Sequence, residues 1–133
     1  MKNPFIIFIA IIAVMVLGFA WLVGPRHKYA GKQNTRYSPE FTDNQYVKIK
    51  IGMKYDEVIQ ILGKPISSSV NLDYPVWALR NEGVRERIGK NNTFNMKVLG
   101  YSQPIDSMSD YELIHIAFDP KLLVINKEKW VTD

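Results

Sequence analysis

From Phe5 to Val23 the chain runs FIIFIAIIAVMVLGFAWLV, nineteen positions without a charge. At 1.5 Å per residue a helix of that length is roughly 28 Å long, close to the hydrocarbon thickness of a bilayer. The pattern predicts a membrane anchor over residues 1–24, in contact with lipid through residues 5–23. Trp21 falls near its end, where an indole favours the membrane–water interface. A cleaved secretory signal is the second reading, because Lys2 supplies a basic start and Gly18-Phe19-Ala20 a weak cleavage site. The apolar run continues past that point, which favours retention as an uncleaved signal anchor.

Residues 25–39 are polar and basic with no apolar period, the pattern of a tether. A domain is predicted over residues 40–133. Thr42 and Gln45 form a capping-box pattern for a helix over about 43–48. Tyr55, Val58, Ile59 and Leu62 recur at i, i+3, i+4 and i+7, one face of a second helix. Asp56 and Glu57 sit in its first turn, where the helix dipole favours acids. Gly63 offers a left-handed stop and Pro65 blocks continuation.

After Pro65 the period shortens to two. ISSSVNL (66–72) and VWALR (76–80) read as strands split by a turn at Asp73-Tyr74-Pro75. Residues 81–90 read as a loop or weak hairpin tip. TFNMKVL (93–99) is a strand, residues 100–110 a loop, and YELIHIAF (111–118) the best strand in the chain. LLVINK (122–127) follows across the turn Asp119-Pro120-Lys121. Short links between successive strands imply an antiparallel sheet. The predicted class is α+β: an N-terminal transmembrane helix, then two short helices packed on one face of an antiparallel sheet of four to five strands.

Charge changes this picture in one place. The net charge is +4, but five of the 17 basic residues precede Pro39, leaving twelve against thirteen acids. The domain is thus close to neutral, and no nucleic-acid partner is expected. The excess lies in a membrane-proximal collar of Arg26, Lys28, Lys32 and Arg36, which suits anionic headgroups or a solvated linker. By the positive-inside rule that collar would hold the domain in the cytoplasm. The absence of cysteine removes disulfides, thiolate metal sites, a Cys nucleophile and a lipid thioether.

Candidate chemistry is sparse. His27 lies in the tether and His115 inside the best strand, and His115 with Asp119 supplies only two of the ligands a zinc site needs. Ser67-Ser68-Ser69 has no histidine at a suggestive spacing to activate a hydroxyl. No phosphate loop or dinucleotide fingerprint is present. No catalytic residue, metal, cofactor or small-molecule substrate is therefore expected. Arg80, Arg85, Arg87 and Lys90 form a basic segment that could dock an acidic partner or be a solvated face. Trp77, Phe94, Tyr101, Tyr111, Phe118 and Trp130 are expected in the core.

The stretch GMKYDEVIQILGKP fits Gly-Met-x4-Val-x3-Leu-Gly-x-Pro. This resembles the signature of the SmpA/OmlA, or BamE-like, domain family, whose fold is also similar to that of β-lactamase-inhibitor-protein domains. YELIHIAFDPKLLVINKEKW is similar to that family's closing hairpin. The resemblance implies two helices on an antiparallel sheet, with packing roles for the motif. Gly52 would allow the turn before the helix, Met53 and Leu62 would pack under it, Val58 would face the sheet, and Gly63 with Pro65 would end it. The chain departs from the family in having Lys54 where a capping Ser or Thr is usual, no lipoprotein cysteine, and a longer 81–110 region. The resemblance implies work outside the cytoplasmic membrane, against the positive-inside count. The expected role is a single-pass inner-membrane protein with a periplasmic, non-enzymatic binding or scaffold module for an unidentified envelope protein. The alternatives are an inhibitor or immunity-type protein that caps a partner enzyme, and an enzyme built on His115.

Overall fold

Val98 and Leu99 are successive residues, and both are buried. Successive side chains of a strand point to opposite faces, so the sheet that holds them is covered on both sides. The computed structural model describes residues 9–17 and 31–132. Its elements run β1 (Thr35–Tyr37), α1 (Asp43–Val47), α2 (Tyr55–Leu62), β2 (Ser67–Pro75), a 3-10 turn (Val76–Ala78), α3 (Glu82–Ile88), β3 (Thr93–Gly100), β4 (Ser102–Pro104), β5 (Glu112–Phe118) and β6 (Val124–Val131). Four strands form an antiparallel sheet in the order β2-β3-β5-β6, and β1 pairs with β4 in a separate two-stranded sheet. The class is α+β, as the hydrophobic pattern predicts.

One face of the large sheet carries Leu99, Ile114, Ile116, Phe118 and Val124, packed under Tyr46 of α1 and Val58 and Leu62 of α2. Both helices start where the sequence places them. The Thr42 hydroxyl accepts the Gln45 N–H at 3.2 Å. At α2 only half of a capping box forms: the Lys54 N–H donates to Glu57 Oε2 at 3.3 Å, and an ammonium has no lone pair with which to return the bond. Gly52, at φ +89°, turns the chain so that its N–H reaches the Val124 carbonyl and the Tyr55 N–H reaches that of Leu122. Met53 is partly buried against the same core. Gly63 ends the helix, but not in the left-handed helical conformation. At φ 77° and ψ −164° it lies in an extended region open essentially to glycine alone.

The opposite face is not bare, which corrects the prediction of helices on one side only. Val76, Leu79 and Val84 pack there on Phe94, Met96, Val98, Ala117 and Ile125. Residues 82–88, read as loop, form α3, capped by Asn81 Oδ1 accepting the Val84 N–H at 3.0 Å. VWALR is a 3-10 turn and its exit, not a strand. The preceding strand runs through Asp73-Tyr74-Pro75, because a bulge between Asn71 and Tyr74 absorbs one residue. Asp73 sits at φ 51°, and its N–H donates to Asn95 Oδ1 at 3.3 Å. Pro75 is the last residue of an outer strand, where a missing N–H is tolerated.

The tether reading over 31–39 and the loop reading over 100–110 also change, while residues 25–30 lie outside the described residues. Residues 31–33 are helical, Gly31 is buried, and β1 and β4 pair with each other. Thr35 Oγ1 donates to the Gly31 carbonyl at 2.6 Å and accepts the Glu112 N–H at 2.7 Å. The folded unit therefore begins before Glu40. Residues 9–17 are helical and exposed. Among the described residues no helix is long and apolar enough to cross a membrane, and the rest of the 5–23 run lies outside them.

A Cβ at position 63 would overlap the Glu40 side chain as well as demand the glycine-only backbone. Gly63→Ala is expected to cost about 1–3 kcal/mol from backbone strain, with the overlap in addition. Adding Glu40→Gly, compared with Glu40→Gly alone, relieves only the overlap, including the Cβ that alanine would leave 2.7 Å away. Urea midpoints of these variants check this: full recovery in the double variant would show that the backbone term is absent.

Candidate functional site

The register of the large sheet aligns Ser67, Gly100, His115 and Glu128 in one row across β2, β3, β5 and β6. Gly100 has no side chain, and its neighbours use the space. A Cβ there would collide with the Ser67 hydroxyl and lie 3.7 Å from His115 Cδ2. The fold thus brings a hydroxyl toward an imidazole that sequence spacing gave no reason to pair. The group does not assemble into a catalytic relay. Glu128 Oε1 accepts from Asn126 Nδ2 at 3.2 Å, and no hydrogen bond joins the imidazole to the serine or the carboxylate. Burial lowers the pKa of His115, and the Glu128 charge opposes that shift only in part. Among the described residues no group of three or more His, Asp or Glu could hold a metal ion.

The basic segment on α3 divides in two. Arg87 Nη1 meets Asp119 Oδ2 at 2.6 Å, and that carboxylate is buried. Its other oxygen accepts the Leu123 N–H at 3.0 Å. The pair fastens α3 to the β5–β6 turn. The Arg85 guanidinium is bonded to the Leu79 and Arg80 carbonyls. Arg80 and Lys90 remain exposed. Arg80 borders a cleft of about 350 Å³ with Tyr46, Glu128 and Trp130. Of the membrane-proximal residues, Lys32 lies 3.7 Å from Asp43 and Arg36 is exposed on β1, while Arg26 and Lys28 lie outside the described residues.

The two tryptophans expected in the core are exposed, Trp77 at 74% and Trp130 at 50%. Trp77 follows β2, held on a turn whose flanking Val76 and Leu79 are buried. On that strand Leu72 at 72% and Val70 at 54% are also exposed. β2 is an outer strand of the sheet, and residues 67–73 are exposed throughout. Beside it lies a groove of about 440 Å³, lined by Tyr55, Ile59, Pro65 and Ile66 with Ser67 and Ser68 at the strand. The GMKYDEVIQILGKP segment therefore has two jobs: Val58 and Leu62 face the sheet, while Tyr55, Ile59 and Pro65 wall the groove.

This surface was missed in the sequence because tryptophan and alternating aliphatics usually signal a core. The available clue was Ser67-Ser68-Ser69, which leaves the first half of β2 without apolar residues to bury. Comparison of the chain with protein-family models, curated proteins and solved structures found no match.

His115 gives a pH test. In the unfolded chain it titrates near 6.5, and in the fold at a lower pH, mainly through burial. Between the two values the unfolded chain holds the proton and the fold does not. Its contribution to stability is thus complete above 6.5, falls as pH drops toward the folded value, and is level below it. Glu128→Gln removes the opposing attraction and moves the folded titration lower still. NMR titration of the ring checks this, and a midpoint that rises in the variant contradicts it.

Proposed function

We propose that this chain is a membrane-anchored, non-enzymatic binding module of the cell envelope, with its domain on the outer, periplasmic side. The observation that carries the reading is Trp77: a large aromatic, 74% exposed, on a turn pinned by buried neighbours and close in sequence to the exposed Arg80. Tryptophan and arginine dominate the binding energy of protein interfaces. A rigid mount lowers the entropy lost when such a residue is buried by a partner. The unassembled Ser67–His115–Glu128 row supports binding over catalysis. The apolar run Phe5–Val23 supports anchorage, and the likeness of residues 52–65 to the BamE-like signature supports the envelope. Anchorage confines the domain near a membrane partner and raises its effective concentration there.

A photoreactive residue at position 77 of the full chain is expected to yield one defined crosslinked protein, identified by mass spectrometry from detergent extracts. Trp77→Ala should weaken that complex roughly thirtyfold, about 2 kcal/mol, without lowering thermal stability. A diffuse set of products, unchanged by Trp77→Ala, would sink the reading. A one-to-one complex that silences an enzyme would assign the inhibitor role instead. For topology, alkaline phosphatase fused at the C-terminus should be active; fluorescence from a cytoplasm-only reporter there overturns the periplasmic placement.

A further inference from the structure

The two outer strands of the large sheet are treated differently. β6 carries Lys127, Glu128 and Lys129 in its middle, the charges that keep an open edge from pairing. The body of β2 carries none: residues 67–72 read SSSVNL, and the strand's charge and proline, Asp73 and Pro75, come only at its close. Its edge backbone groups face no other strand. Charge returns only at the two ends, with Lys64 before the strand and Asp73 near its close, both exposed.

We infer that β2 is a homodimer edge, on which two copies of this chain pair antiparallel about Ser69 so that their sheets become continuous. Three features select a second copy as the occupant. First, antiparallel pairing brings the Lys64 end of each strand beside the Asp73 end of the other, so the edge is complementary in charge to itself. Second, a two-fold axis perpendicular to the sheet keeps each face on its own side, so opposite residues must share a face. With Ser69 opposite Ser69, Val70 falls opposite Ser68 and Leu72 opposite Ile66. Third, that register puts apolar groups where the groove needs them. Val70 pairs with Lys97 and Lys97 with Phe118, and the Lys97 ammonium lies 4.8 Å from the centre of the Tyr55 ring. Val70 therefore projects on the α2 side, where the groove opens. Val70 and Leu72 of each copy would lie over Tyr55, Ile59, Pro65 and Ile66 of the other, burying apolar groups now exposed. This goes beyond the binding role proposed above and does not depend on it.

The chain has no cysteine, so one can be introduced without background. Directly opposite residues of an antiparallel pair have Cβ atoms about 4.5–5.5 Å apart, close enough for a disulfide after small shifts. Full-length Ser69→Cys, in membranes and in detergent, is treated with a mild oxidant and resolved by non-reducing electrophoresis. Lys90→Cys, on the exposed loop after α3, is the control for encounters driven by the anchor alone. Ser69→Cys is expected to form covalent dimer at least about tenfold faster than the control. Adding Val70→Lys, or Leu72→Lys if the first fails to fold by circular dichroism, should remove that advantage by setting an unpaired charge against the apolar groups of the other copy. Equal rates for Ser69→Cys and Lys90→Cys overturn the inference. So does a Ser69→Cys advantage that survives both lysine variants. If Ser69→Cys shows no advantage while position 77 still captures its partner, the homodimer is lost and the binding role stands.

Discussion

Tyr101 is the residue on which the arrangement turns. It is completely buried, and its hydroxyl donates to the Gly63 carbonyl at 3.1 Å. Its backbone N–H donates to the Ile114 carbonyl and its own carbonyl accepts the Ser38 N–H. One residue, through its side chain and its backbone, thus joins the end of α2, strand β5 and the segment after β1. A buried hydroxyl without a partner costs about 1–3 kcal/mol, so the bond to Gly63 sets where the helix must stop. That stop in turn demands the glycine-only backbone and leaves no room for a side chain against Glu40. Burial also pushes the Tyr101 pKa well above the usual phenol range, so the hydroxyl keeps the proton it donates.

The position of that stop decides what the surface offers. From Gly63 the chain has three residues, Lys64 to Ile66, before β2 begins. Pro65 and Ile66 are left standing between helix and strand, and the gap beside them is the groove. On the far side of the sheet, Asp119 and Arg87 hold α3 over the β5–β6 turn, and α3 with the 3-10 turn seals the second core. With both faces covered, β2 is the place where an uncharged stretch, residues 67–72, and its apolar residues meet solvent. The exposed apolar surface is thus what remains after the two cores are filled.

Much of the scaffold was legible in the chain. α1 and α2 were found nearly to the residue because cap, acid-first turn, apolar stripe and Gly-x-Pro stop all agree there. β3 and β5 were found because their apolar residues alternate and then crowd. α3 was missed because it has only Val84 and Ile88 as an apolar pair, and glycines at 83 and 89 resemble a loop. β1 and β4 are three residues each, too short to show any period. The break at Asp73-Tyr74-Pro75 was real but was resolved as a bulge within a strand. The role of α3 was hidden for a similar reason: Arg85 and Arg87 look like surface charge until their partners, Leu79, Arg80 and Asp119, are brought near.

What the sequence by itself determined is whatever depends on neighbours within a few residues: the two capped helices, the alternating strands, the absence of thiol chemistry and the antiparallel α+β class. Hydrogen bonds and side-chain periods act at that range, so the order of residues carries them. Only the tertiary structure decided which apolar residues are core and which are surface. Trp77 and Val76 are adjacent and both largely apolar, yet one is exposed and the other sealed. The difference lies in the distant strands that meet one side of the turn and leave the other open, and no local pattern records that.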